Sequence, residues 1–169
     1  AKANIKAMNT PNISGEVSAD ATKVTPLTPE GIRTIEKSAE ELKEEKPDLI
    51  LHSPFYRTKE SARIVATALG TPPEEVIEEP ALRELHPGSF SGGTWESYWE
   101  HKPDDGEDRD SVLQRMEKFL QETESRYQGR RILIVSHGLP LFMLRKIIEG
   151  EETHLETGEW HRTIPRRLP

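Results

Sequence analysis

Three short segments carry residue types that could handle a phosphate group. Arg131-Ile132-Leu133-Ile134-Val135 is the strongest strand signal in the chain, and it runs directly into Ser136-His137-Gly138. A strand buried on both faces has reason to end in histidine when the imidazole meets a partner at the sheet edge. Gly138 would let the backbone approach closely, and the free N–H groups of a following helix favour an anion. A histidine satisfied by one backbone carbonyl fits the same position. The second segment is His52-Ser53-Pro54-Phe55-Tyr56-Arg57, which also leaves a strand end. Arg57 falls in the first turn of the next helix, where a cation opposes the helix dipole. Pointed back over the sheet, its planar fork would hold phosphate oxygens in a bidentate way; otherwise it is an ordinary solvated arginine. The third segment, Leu82 to Gly92, offers Glu84 beside Arg83 and His86. Partial burial would raise that carboxyl toward the range of a proton donor, and a surface glutamate is the alternative.

The elements that must position these residues follow from periodicity and punctuation. Thr28 caps a helix opened by Pro29, with Ile32, Ile35, Ala39 and Leu42 as its apolar stripe, and Pro47 stops it. Leu49-Ile50-Leu51 is a short buried-type strand. A helix from Phe55 to Leu69 turns Ala62, Val65, Ala66 and Leu69 inward and ends at Gly70. Val76-Ile77 is a brief strand, Thr94 to Glu100 one or two helical turns, and Asp108 to Tyr127 a long helix ended by Gly129. Leu139 to Ile148 is a helix, and Thr157 to Ile164 alternates as a late edge strand. Ala1 to Lys23 shows no sustained periodicity and reads as an irregular loop. Helix and apolar strand alternate, which predicts a three-layer α/β/α sandwich on a mostly parallel sheet, in a single domain spanning 1–169. In such sheets ligands bind at the carboxyl ends of the strands, where all three segments arrive.

Composition narrows the function class. The charged fraction of 31% is high against 33% hydrophobic, but the apolar residues cluster in blocks and predict a folded core. The absence of cysteine excludes disulfides and thiolate metal sites. No apolar run approaches the roughly 20 residues that span a bilayer, so no membrane partner is expected, and the lack of cysteine fits a cytoplasmic location. A net charge of −7 disfavours a nucleic-acid partner. His86, His101, His154 and His161 lie in loops or at an edge without ligand spacing such as HExxH, so neither metal nor other cofactor is expected.

Order and spacing together resemble a known family. Thr25-Pro26-Leu27-Thr28-Pro29-Glu30-Gly31 resembles the "PLTxxG" helix opening of the histidine phosphatase (phosphoglycerate-mutase-like) superfamily. His52 to Ala62 resembles its "SSPxxRxxxTA" segment, and Leu82-Arg83-Glu84-Leu85 with Gly88 and Gly92 its "LxExxxGxxxG". Asp110 to Phe119, with Arg115, is similar to the helix before its last core strand, and Ile132 to Gly138 to its "ilivSHG". Five blocks in this order reach from about Asn12 to Gly150. The resemblance implies a phosphoglycerate-mutase-like fold and metal-independent phosphoryl transfer through a phosphohistidine. It implies that Arg57 clamps phosphate, that His137 binds the phosphoryl group with Gly138, and that Glu84 is the general acid. Ser14, in Asn12-Ile13-Ser14-Gly15, resembles a loop that touches the phosphate in some members. The expected substrate is a small phosphorylated molecule. A short stretch between Glu84 and the Asp110 helix resembles the phosphatases, since mutase-type members carry a longer insertion there.

The sequence departs from the family at one place. The superfamily's nucleophile belongs to an N-terminal "RHG" or "RHA" at the end of the first core strand, and no Arg-His dipeptide occurs in this chain. Ala1-Lys2-Ala3-Asn4 resembles the residues after "RH" in an "RHAxA" variant. The first core strand and the nucleophile are therefore expected upstream of Ala1, and the chain as written is expected to be inactive. His52 could substitute only if its imidazole were aimed and oriented at the site; a packing histidine is the alternative. A phosphomonoesterase, a mutase-type phosphotransferase and a non-catalytic phosphate-binding module remain in view, and retention of Glu84 favours an enzyme.

Overall fold

The computed structural model describes residues 4–9, 26–90, 93–150 and 160–162. Ten elements position the site: β1 (Asn4–Asn9), α1 (Pro29–Leu42), β2 (Leu49–His52), α2 (Tyr56–Leu69), β3 (Val76–Glu78), α3 (Trp95–Glu100), α4 (Arg109–Arg126), β4 (Arg131–Ser136), α5 (Gly138–Glu149) and β5 (Trp160–Arg162). The strands form one sheet in the order β3-β2-β4-β1-β5, parallel except for β5, which runs antiparallel to β1 at the edge.

The alternation of side chains along β2 and β4 builds the layers. Pairing of Leu49 with Ile132 and Leu51 with Ile134 sends these four to one face, against Met116 and Phe119 of α4 and Leu141 and Leu144 of α5. Ile50, Leu133 and Val135 face the other way, onto Ile35 and Ala39 of α1 and Ala62 and Val65 of α2. Both strands are thus buried on both faces, as their unbroken apolar runs require. The helices begin and end on the expected chemistry. Thr28 Oγ1 accepts the Gly31 N–H at 3.0 Å, Asp108 accepts from the Ser111 N–H at 2.7 Å, and Gly70 closes α2 at φ +69°.

The reading of Ala1 to Lys23 as an irregular loop is corrected over Asn4–Asn9. Asn-Ile-Lys-Ala-Met-Asn has no apolar run, yet it pairs residue for residue with Arg131 to Ser136 on one side and meets β5 on the other. Two neighbouring strands supply its backbone partners, and such tertiary pairing outweighs weak local propensity. Asn4–Asn9 thus lies beside β4 in the sheet, and no histidine lies among these six residues.

Candidate phosphate site

His137 stands between β4 and α5 with its ring almost wholly buried, at 2% exposure. Arg57 Nη2 lies 2.9 Å from its Nδ1, and Ser53 Oγ lies 2.7 Å from its Nε2. A guanidinium can only donate, so Nδ1 must be the bare acceptor and the proton sits on Nε2, donated to Ser53 Oγ. The edge of Phe55 closes the ring's side, with centroids 4.9 Å apart. Burial, and after it the charges of Arg57 and Arg115, hold the imidazole well below its ordinary value of 6.5. His137 is therefore a neutral imidazole with a fixed tautomer.

Arg57 is the second residue of α2 and is 8% exposed. Its guanidinium lies over the Phe55 ring, 4.7 Å from the centroid, and its Nε is buried without a hydrogen-bond partner. No carboxylate among the described residues forms a salt bridge with it. A buried cation with an idle donor, placed where the helix dipole opposes it, is arranged to receive an anion.

Glu84 follows the short turn Pro80–Leu82, and its Oε1 accepts the Leu85 N–H at 3.0 Å. Burial raises its carboxyl above the ordinary value of 4.5, against the lowering effects of that amide, Arg57 and Arg115. The chain around it is held from below. Glu107 accepts from Arg83, from Arg115 and from the His86 N–H, all between 2.8 and 3.0 Å. Arg115 Nη1 also donates to the carbonyls of Ala81 and Arg83, at 2.6 and 2.9 Å. Burial pushes Glu107 up, but Arg115, Arg83 and the His86 amide overcome it and leave the carboxyl below its usual range.

Gly138 opens α5. A Cβ there would meet nothing within 4 Å, so the glycine fronts open space, not a crowded contact. The N–H groups of Gly138 and Leu139 lie in the first turn, where no intrahelical acceptor exists, and Pro140 has none to satisfy. A cavity of about 250 Å³ begins here, with Glu84, Gly138, Trp95 and Trp99 among its walls.

The structure thus gathers Arg57 and His137 in direct contact, with Glu84 close enough to sense the Arg57 charge. Glu84 and Gly138 line the cavity, with Gly138 adjoining His137 in the chain. Ser14, Gly92 and His154 lie outside the described residues. His52 stands apart from the cluster: its Nδ1 meets Ser53 O at 2.8 Å, and burial lowers its pKa. Among the described residues no group of three or more acidic or histidine side chains could hold a metal ion, and no helix is long and apolar enough to cross a membrane. Sequence reasoning missed Ser53, Phe55 and Glu107. Ser53 and Phe55 sit inside the His52-to-Arg57 segment, but only the fold shows them gripping His137.

The model of the histidine phosphatase superfamily (branch 1) matches residues 18–160. The chain belongs to this superfamily. Members similar to it include a metal-independent phosphoserine phosphatase of Arabidopsis thaliana, 29% identical over 75% of this chain and 57% of the relative. A probable phosphoglycerate mutase GpmB of Photorhabdus laumondii is 33% identical, over 78% of this chain and 67% of the relative. Among solved structures, a putative alpha-ribazole-5'-P phosphatase from Escherichia coli superposes with a TM-score of 0.78 at 25% identity, covering 95% of this chain and 89% of its own. The chain thus spans only about three fifths of the length of the phosphoserine phosphatase it matches. Within the superfamily its relatives include phosphatases and mutase-like proteins, and the histidine phosphatase fold carries both.

Proposed function

We propose that the intact protein is a metal-independent phosphomonoesterase acting on a small phosphorylated substrate, with Arg57, His137 and Glu84 as its working residues. The observation that carries this reading is the pairing of opposite preparations at one strand edge. Arg57 has an idle buried donor, and Glu84 is a carboxyl kept protonated to higher pH than a solvated one.

In the proposed reaction the phosphoryl oxygens take the Arg57 N–H groups and the free amides of Gly138 and Leu139. His137 turns its Nε2–H from Ser53 Oγ to the same group. These donors oppose the charge on the equatorial oxygens during transfer. As the bond from phosphorus to the leaving oxygen breaks, one forms to a nucleophile of the intact protein, and Glu84 gives its proton to the leaving oxygen. Water then attacks the phosphorylated nucleophile, Glu84 as a carboxylate takes the water's proton, and the nucleophile and inorganic phosphate are released. The short Glu84-to-Asp110 stretch supports phosphatase over mutase. β1 holds no histidine beside His137, so none of the described residues is assigned as the phosphoryl acceptor.

Glu84→Gln in the intact protein tests the assignment with p-nitrophenyl phosphate and a less activated alkyl phosphate. Turnover of the alkyl ester should fall by about 10²- to 10⁴-fold with little change in KM, and the decline of kcat at rising pH should vanish. Equal losses in kcat and KM would remove Glu84 from proton transfer. A second reading, a non-catalytic phosphate binder, is favoured by the lack of an Arg-His dipeptide. It predicts no turnover in the wild type with phosphate affinity retained.

A further inference from the structure

The cavity in front of Gly138 has features that phosphate binding does not use. Its apolar walls are Leu85, Leu139 and the indoles of Trp95 and Trp99, and its charged residues are Glu84 and Arg109. Both indoles are half-buried and braced edge-on by the fully buried Tyr98, at centroid distances of 5.8 and 5.1 Å. Tyr98 is itself tied by its hydroxyl to the Glu107 carbonyl. The walls are therefore rigid faces, not loose surface aromatics.

Arg109 lies over the Trp99 ring, 5.1 Å from its centroid, and forms no salt bridge with a described carboxylate. It is exposed and occupies the first position of α4, where the helix dipole opposes a cation. Its neighbour Asp108 is engaged by Ser111, at 2.7 Å to both amide and hydroxyl. A cation–π seat fixes the guanidinium plane while leaving its N–H edge for a carboxylate.

If Glu84 protonates the leaving oxygen, the leaving group must lie on Glu84's side of the phosphoryl group, and that side is this cavity. We propose that the cavity is the leaving-group subsite and that it selects a flat, unsaturated leaving group bearing a carboxylate, the ring against Trp95 and Trp99 and the carboxylate on Arg109. This rests on the phosphomonoesterase reading above. A volume of about 250 Å³ lies below the range for drug-sized ligands and suits a single ring. Apolar side walls with a cation at one end and a carboxyl at the other match such a molecule end to end.

The test uses phosphonates, which bind without being cleaved, titrated calorimetrically into the intact protein. 4-(Phosphonomethyl)benzoate should bind about five- to tenfold more tightly than benzylphosphonate, the size of one partly exposed charge contact. Arg109→Ala should abolish that difference, and Trp99→Leu should weaken both ligands relative to methylphosphonate. Both substitutions are at or near the surface. Equal affinity for the two aromatic phosphonates, or a preference that survives Arg109→Ala, overturns the proposal. So does benzylphosphonate binding no better than methylphosphonate. Arg57→Ala separates the two levels. If it weakens every phosphonate while no carboxylate preference exists, only the leaving-group assignment falls. If it leaves all affinities unchanged, or no phosphonate binds the wild type, the phosphate site falls and the subsite with it.

Discussion

Glu107→Gln removes one charge and almost no volume, so it isolates the electrostatic brace under Glu84. The two carboxylate oxygens receive five N–H donors: two from Arg83, two from Arg115 and the His86 amide. Glutamine keeps one acceptor oxygen and points an NH₂ at donors that have nothing to give it. At least two hydrogen bonds to charged groups are lost, at about 1.5–3 kcal/mol each. Severing a fully buried pair costs about 3–5 kcal/mol. The Glu107 and Arg115 side chains are 13% and 14% exposed, but Arg83 at 33% can turn to water, which lowers the sum. The expected loss is about 3 kcal/mol, or a fall in Tm of about 6–12 °C for a domain of this size. Urea unfolding at pH 7, followed by far-ultraviolet circular dichroism, reads it as a shift in midpoint at constant slope. A cycle with Arg115→Met should show the double variant less destabilised than the sum of the singles, by about 1 kcal/mol or more. A loss below about 1 kcal/mol with additive singles would refute the brace.

Two further outcomes rest on the same geometry. His137 has a folded-state pKa well below 6.5, so below pH 6.5 the unfolded chain binds a proton that the folded one refuses. Stability should drop as pH falls through that window, by up to about 1.4 kcal/mol per pH unit from this one group. His137→Gln should flatten the slope, without abolishing it because His52 acts with the same sign; an unchanged slope would show that the imidazole is charged when folded. Gly88 sits at φ +62°, and a Cβ there would approach Gly106 N to 2.6 Å and the Asp105 carbonyl carbon to 2.7 Å. Gly88→Ala should therefore cost about 2 kcal/mol or more in thermal unfolding, and near-neutral behaviour would mean that the Gly88–Asp105 contact is not maintained in solution.

Much of this arrangement was legible in the sequence because it is encoded locally. Periodic apolar stripes, Thr28 and the glycines at 70 and 129 fix where helices start and stop within a turn, and apolar runs of three residues (Leu49-Ile50-Leu51) and four (Ile132-Leu133-Ile134-Val135) mark β2 and β4. Alternation of those elements forces a parallel sheet, whose strand ends must share one edge. The nearness of Arg57, Glu84, His137 and Gly138 follows from that rule. What only the tertiary structure decided depends on register between distant segments. The hydrogen bonds that set the His137 tautomer span 80 and 84 residues, and no local pattern encodes which nitrogen meets which partner. The same holds for Glu107, whose donors Arg83 and Arg115 lie 24 and 8 residues away. It holds for Trp95 and Trp99, where half-burial against Tyr98 turns aromatic residues into a cavity wall. Asn4–Asn9 is the clearest case: too polar to announce itself as a strand, it is one because β4 and β5 offer its backbone hydrogen bonds on both sides.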